Sequence, residues 1–358
     1  MTGRRRRGDQ GGGRVTLKQI AEESGLPIMT VSRALRGLRG EVSEASLQRA
    51  LEVANRLGYR PNLLVKALQT GHSQNIGVVV PPISSFAYDL IRGVHDELVK
   101  DGCLPLVHWQ NPVPGGATPE RMHAAELEVI HRLLDRRVDG VIFLPSDDQV
   151  FDLHFQEVWK RDIPLVAVDR FLKRSSADFV GTDDAAGGRL AAEHLLALGH
   201  RRFAQLAGAL RVGPFADRRQ VFEATVRAAG AECKTYEVDL SDLTTITPRS
   251  QALLADPVRP TAVFLGADHF APPFYTEARR LGLSVPRDLS VIGFDDLMAT
   301  VATPPLTTIS HQLDGLGATA VSVALALLDD AAPRPPATTL VPARLVIRAS
   351  TAAAPSRR

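Results

Sequence analysis

Two sets of side chains in this sequence have types and spacings suited to acting on a partner. The first lies between residues 28 and 36. At helical spacing Val31, Ala34 and Leu35 share one side, which leaves Ile28, Met29, Ser32, Arg33 and Arg36 on the other. Apolar side chains meet thymine methyl groups, while small hydroxyls and guanidinium groups meet base edges and phosphates, so this outer side has the composition of a helix that reads a major groove. The second set is charged and follows short apolar runs: Asp147, Arg218 and Asp295. A forked guanidinium facing carboxylates is suited to hydroxyl-rich or carboxylated small molecules.

Other chemistry is excluded by what the chain lacks. It has no Gly-x-Ser-x-Gly elbow, no phosphate-loop Gly-x-x-x-x-Gly-Lys and no dinucleotide glycine fingerprint. Asp147-Asp148 and Asp183-Asp184 could pose as catalytic carboxylate pairs, but each precedes a helix and reads as its cap. No nucleophile or base has an oriented partner, so the sequence reads as a non-enzyme. The ten histidines show no ligand spacing and the two cysteines, Cys103 and Cys233, are far apart, so neither a metal, a cofactor nor a disulfide is expected.

The elements that must position the first set are short helices. Thr16 can cap a helix with Leu17, Ile20 and Ala21 on its apolar side, and Gly25 ends it; Pro27 then opens the helix of residues 28–35. Ser43 caps a third helix whose stripe of Val42, Leu47, Ala50, Val53, Ala54 and Leu57 closes a three-helix headpiece, and Gly58 stops it. Pro61 opens a further short helix carrying Leu64, Lys66 and Leu68 before Gly71. Charge follows this division, since residues 1–60 hold 12 Lys and Arg against 6 Asp and Glu while the chain as a whole nets only +2. The basic end is the nucleic-acid end.

From residue 75 the texture changes to short β-branched runs alternating with helices, the pattern of right-handed βαβ units in parallel sheets covered on both faces. One set of units runs through the strand at 165–168, and a second begins with the strand at 179–180. In open sheets of this kind ligands sit beyond the carboxyl ends of strands, which makes residues 81–86, 145–148, 169–170, 210–218, 266–268 and 294–296 the candidate cleft. No apolar segment reaches the length of a membrane span, and the basic start of the chain is followed by glycines rather than an apolar run, so a cytoplasmic, nucleoid-associated protein is expected.

The segment TVSRAL (30–35), the segment GYRPN (58–62) and a leucine at 68 together resemble the headpiece and hinge of the lactose-repressor (LacI/GalR) family of bacterial transcription factors. Further along, DGVIF, VDR, HLLALGHRR, SVIGFDD, PPLTTI and LVIRAST extend the resemblance over nearly the whole chain. It implies a helix-turn-helix headpiece joined to a periplasmic-binding-protein-like core of two parallel-sheet lobes with three crossovers between them. It further implies a repressor that binds a palindromic DNA operator as a homodimer and answers to a small polar effector such as a sugar. By this resemblance DNA would be met by Thr16, Leu17, Ile28, Met29, Thr30, Ser32, Arg33, Arg36, Tyr59, Asn62, Lys66 and Leu68, and the effector by Phe86, Asp147, Arg218, Asp268 and Asp295.

The expected divisions are a basic disordered tail (1–14), headpiece (15–60), hinge (61–74), core (75–350) and a short tail (351–358). Crossovers near 173–177, 303–308 and 332–338 would give one lobe of 75–174 with 308–332 and another of 175–305 with 338–350. Where many relatives carry Asn-Asp, this chain has Ala267-Asp268, and Val221 stands where a glycine is usual; Val65 and Lys66 stand where Ala and Arg are usual. No leucine heptad closes the chain, so no tetramer-forming coil is expected. The competing reading is an architectural DNA-binding protein with a vestigial cleft, in which Leu68 only wedges the minor groove.

Overall fold

The computed structural model describes residues 15–36, 41–60, 67, 71–81, 85–110, 118–145, 155–170, 177–208, 213–240, 242–329 and 334–355. Contacts fall into two units that divide between Ser73 and Gln74.

In the first unit, α1 (Leu17–Ser24), α2 (Ile28–Leu35) and α3 (Glu44–Arg56) enclose Ile20, Val31, Val53 and Ala54. Thr16 caps α1 and is answered by Gln19, whose side chain accepts from the Thr16 amide at 2.8 Å, a reciprocal box that satisfies two otherwise orphaned donors. Gly25 ends α1 at φ +68°, a conformation that costs other residues more. Pro27 is the cap of α2 rather than its first residue, and Ser43 caps α3 by accepting from the Ser46 amide.

The second unit contains two six-stranded sheets. The first has the order β11-β5-β4-β3-β1-β2, built from β1 (Asn75–Val80), β2 (Leu104–Trp109), β3 (Gly140–Phe143), β4 (Leu165–Val168), β5 (Asp178–Thr182) and β11 (Thr338–Val341), all parallel. Helices α4 (Ser85–Lys100) and α11 (Leu313–Asp329) cover one face; α5 (Pro119–Asp135) and α6 (Gln156–Trp159) cover the other. The second sheet has the order β12-β10-β9-β8-β6-β7, built from β6 (Arg202–Gly208), β7 (Glu232–Val238), β8 (Ala262–Leu265), β9 (Ser290–Asp295), β10 (Thr307–Ser310) and β12 (Arg344–Val346), the last antiparallel. It lies between α7 (Asp184–Ala197) with α8 (Gly213–Ala228) and α9 (Ile246–Leu254) with α10 (Ala271–Arg280). Strands buried on both faces explain why Ile76 to Val80 and Ala262 to Leu265 are continuously apolar.

The lobe boundaries differ from those expected, by one strand at every crossover. The chain passes between sheets after β5, after β10 and after β11, between residues 182 and 184, 310 and 313, and 341 and 344. The expected positions fell at links that carry no described helix, β4 to β5 and β9 to β10, and at the link from α11 to β11. A strand without a covering helix before it reads locally as a new beginning, yet β5 pairs with β4 through Val166 and Asp178, and β10 pairs with β9 through Thr307 and Ile292. Pairing between strands, which is not local, decides the matter.

Candidate functional site

Both sheets repeat a 2-1-3-4-5 order, so in each the connections reverse direction beside the first strand and open a crevice at the carboxyl ends. The ends of β8 and β9 and the start of α7 converge on Arg218. A side chain at Gly188 would place its Cβ 2.4 Å from the Arg218 carbonyl oxygen, so the glycine allows α7 and α8 to cross closely. That crossing brings Asp184, in the first turn of α7, against the guanidinium. Arg218 donates to Asp184 Oδ1 through Nε at 3.0 Å and Nη2 at 2.6 Å, to the Gly266 carbonyl at 2.8 Å and to Asp295 Oδ1 at 3.3 Å through Nη1. The rings of Phe294 and Phe215 lie 3.7 and 4.7 Å from its central carbon. The side chain is 4 % exposed. The fork that the sequence offers to a ligand is therefore largely occupied by the protein itself.

Asp295 and Asp296 both adopt left-handed backbone, at φ +113° and +64°, where residues other than glycine are strained. The turn is held by Arg348, which donates to Asp296 at 2.6 Å and to the Leu306 carbonyl at 2.9 Å. His311 meets Asp295 Oδ1 through Nε2 at 3.0 Å. Burial pushes the Asp295 carboxyl up, but the bond from His311 and the charge of Arg218 outweigh it and leave it below the ordinary range. Asp184 is shifted the other way, to about 6, because burial exceeds the attraction of Arg218. Asp268 accepts from Thr308 at 2.7 Å and from the Leu297 amide at 3.1 Å; burial and the nearby Asp295 nevertheless push it up to about 8. Asp169, half-buried at the end of β4, is raised by desolvation.

Of the residues expected at the cleft, Arg218, Asp268 and Asp295 are brought together, and the Phe86 ring stands edge-on to His311 at 5.1 Å. Asp147 lies outside the described residues. Sequence reasoning missed His311, Thr182 and Asp184. His311 was hidden by placing the crossover before β10, and Asp184 by treating Asp183-Asp184 as two caps, whereas only Asp183 caps α7, by accepting from the Ala186 amide. A hollow of about 420 Å³ opens beside Asp295, lined also by Arg92, Ser310, Gln312 and Arg344. Another of about 300 Å³ lies at the opposite ends of β6 and β7, where Lys234, Tyr236 and Asp256 satisfy one another. It is remote from this chemistry.

In the first unit Ile28 and Met29 are 48 % and 62 % exposed. Arg33 and Arg36 are exposed beside them and Thr30 and Ser32 half-exposed; Arg33 lies 3.3 Å from Glu41. Thr16 is exposed, but Leu17 and Tyr59 pack against the helical core, so their apolar parts serve folding. Asn62, Lys66 and Leu68 lie outside the described residues.

Residues 16–62 match the profile of bacterial regulatory proteins of the lacI family, and residues 192–351 that of a periplasmic binding protein-like domain. The HTH-type transcriptional regulator reg1 of Streptomyces lividans is 33 % identical over 96 % of this chain and 98 % of its own. The chain belongs to the LacI family of bacterial transcriptional regulators. Another member, the ribose operon repressor of Escherichia coli K12, is 30 % identical over 86 % of this chain and 91 % of its own. The solved lac repressor dimer, bound to operator and an anti-inducer, aligns with a TM-score of 0.76 at 26 % identity, covering 95 % of this chain and all of that one. LacI-family membership accounts for the pairing of a helical reading head with a two-lobed core. Among the described residues no helix is long and apolar enough to cross a membrane, and no group of His, Cys, Asp or Glu is arranged to hold a metal.

Proposed function

We propose that this LacI-family chain is a sequence-specific repressor that binds a palindromic operator as a homodimer and changes its hold on DNA when a small hydroxyl-rich effector enters the core cleft. The observation that carries the DNA half is the outer face of α2. Folding gives no reason to expose Ile28 and Met29 beside Arg33 and Arg36, whereas a major groove supplies both thymine methyl groups and phosphates. For the effector, Asp295 is the acceptor that the cleft presents, at the strained end of β9. Arg218 is more a scaffold than an open clamp, since Nε and Nη1 are engaged by protein acceptors and Nη2 is held by Asp184. The repressor of the ribose operon and the anti-inducer-bound lac repressor support an effector-controlled reading of the same fold.

Selection from a random DNA pool with the full chain tests the first half: a two-fold symmetric sequence is expected to emerge, and enrichment of no sequence overturns the proposal. Exchanging Ile28 and Met29 should change the selected bases. Contacts to thymine methyls should discriminate less than the roughly 1 to 3 kcal/mol of a good bidentate pair. The second half is tested by titrating the selected operator with and without ribose, other pentoses and hexoses, and disaccharides. A response that Asp295→Ala removes, with effector-free operator affinity intact, supports the cleft assignment.

A further inference from the structure

His311 joins the two lobes beneath Asp295, which borders the hollow. It stands in the second crossover, between β10 of one sheet and α11 of the other, and is 1 % exposed. Nδ1 lies 2.8 Å from the hydroxyl of Thr182, the last residue of β5 in the first lobe, immediately before the first crossover. Nε2 lies 3.0 Å from Asp295 Oδ1, the last residue of β9 in the second lobe. The ring is flanked edge-on by an aromatic from each lobe, Phe86 and Phe294, each at 5.1 Å. Both polar ends and both flanks of one side chain are thus divided between the lobes.

The bonding order follows from what each partner can do. An ionised carboxylate only accepts, so Nε2–H donates to Asp295, which leaves Nδ1 to pair with the Thr182 hydroxyl, a group that can both donate and accept. Asp295 Oδ1 also receives Arg218, which is anchored by Asp184, so an unbroken chain runs Asp184, Arg218, Asp295, His311, Thr182. Four of its members are buried and the fifth, Asp295, is 16 % exposed. In so dry a site each bond polarises the next.

We propose that His311 is the interlobe pin of the core: a positioning residue through which the carboxylate at the cleft floor is coupled to the first lobe. His311 and Arg218 both bond to Oδ1, so a donor that engages the Asp295 carboxylate from the cleft draws charge from the oxygen that holds Nε2–H, and occupation of the cleft and the grip of one lobe on the other become linked. The pin is a property of the core alone; its link to occupation of the cleft rests on the effector reading above.

A double-mutant cycle tests it without DNA or effector. Thr182→Val removes the hydroxyl at constant shape and Asp295→Ala removes the carboxylate; the unfolding constant of the full chain is measured by urea titration for each and for both. Their effects should deviate from multiplicativity by about tenfold, although the two side chains meet only through the imidazole. The same cycle is then run on His311→Asn, which imitates Nδ1 and keeps the Thr182 bond, and on His311→Gln, which imitates Nε2 and keeps the Asp295 bond. Each half-pin should abolish the coupling, leaving the effects multiplicative within about twofold. A residue that only fills space would show no coupling to lose. Independent effects in the unmodified chain, or coupling that survives in either half-pin, overturn the proposal.

Discussion

Removing the guanidinium of Arg218 leaves Asp184 buried with its main donors gone, and removing one partner of a buried pair costs about 3 to 5 kcal/mol. Arg218→Ala should therefore lose both the effector response and core stability, seen as an earlier urea midpoint. Asp295→Ala should lose the response at a smaller cost, because Arg218 keeps Asp184 and the Gly266 carbonyl. Equal destabilisation by the two would show that Asp295 is as structural as Arg218. Asp268 makes a pH prediction whose sign is opposite to that of an ordinary salt-bridged aspartate. Its carboxyl titrates near 8 when folded and in the ordinary carboxylate range when unfolded, so between those limits the folded chain holds the extra proton. Stability must then fall as pH rises from about 4 to about 8. Asp268→Asn cannot ionise; its carbonyl can accept from the Leu297 amide while its NH₂ donates to Thr308. The unfolding midpoint measured across this window should slope downward in the unmodified chain and be flatter in the variant. Parallel profiles would mean that Asp268 stays charged in the fold.

At the scale of elements, much of what the sequence offers is local and was legible. Thr16, Gly25 and Ser43 mark the ends of helices because caps satisfy the neighbouring backbone, and the apolar period places Ile20, Val31 and Val53 inward. The crossovers were not legible, since β5 and β10 join a sheet by pairing with strands whose links carry no described helix to announce them. The same gap hid His311, whose meaning depends on belonging to neither lobe. Arg218 and Asp295 could be found as charges at strand ends, but the orientation of Arg218 toward Asp184 could not, because it depends on two helices crossing at Gly188. Gly188→Ala should therefore disturb the site without touching it. A Cβ there meets backbone atoms of Arg218 at 2.4 and 3.0 Å, so the helices must separate, at about 1 to 3 kcal/mol. Thermal unfolding should show that loss, together with weaker effector binding. An unchanged melting temperature would mean that the crossing is looser than it stands here.

Over the whole molecule, positive charge is concentrated at the end that meets DNA, and the remainder of the chain is net negative, which disfavours nonspecific contact by the core. The extreme N-terminus supplies five of those charges, Arg4, Arg5, Arg6, Arg7 and Arg14, in a stretch rich in glycine. Such charges are suited to phosphates, which carry no base identity, rather than to base edges. Their contribution should consequently be common to operator and random DNA. Deleting residues 1–14 should weaken both by a similar factor and reduce the slope of log affinity against log salt by up to about 9 for the dimer, since five arginines are lost from each protomer and each neutralised phosphate contributes roughly 0.9. The ratio of operator to random affinity should stay nearly constant, whereas exchange of Ile28 and Met29 should change that ratio and leave the slope alone. Titrations of both DNAs at several salt concentrations separate the two effects. A truncated chain with the full slope would show that the tail never reaches the phosphates, and one whose preference for the operator collapsed would show that it reads bases.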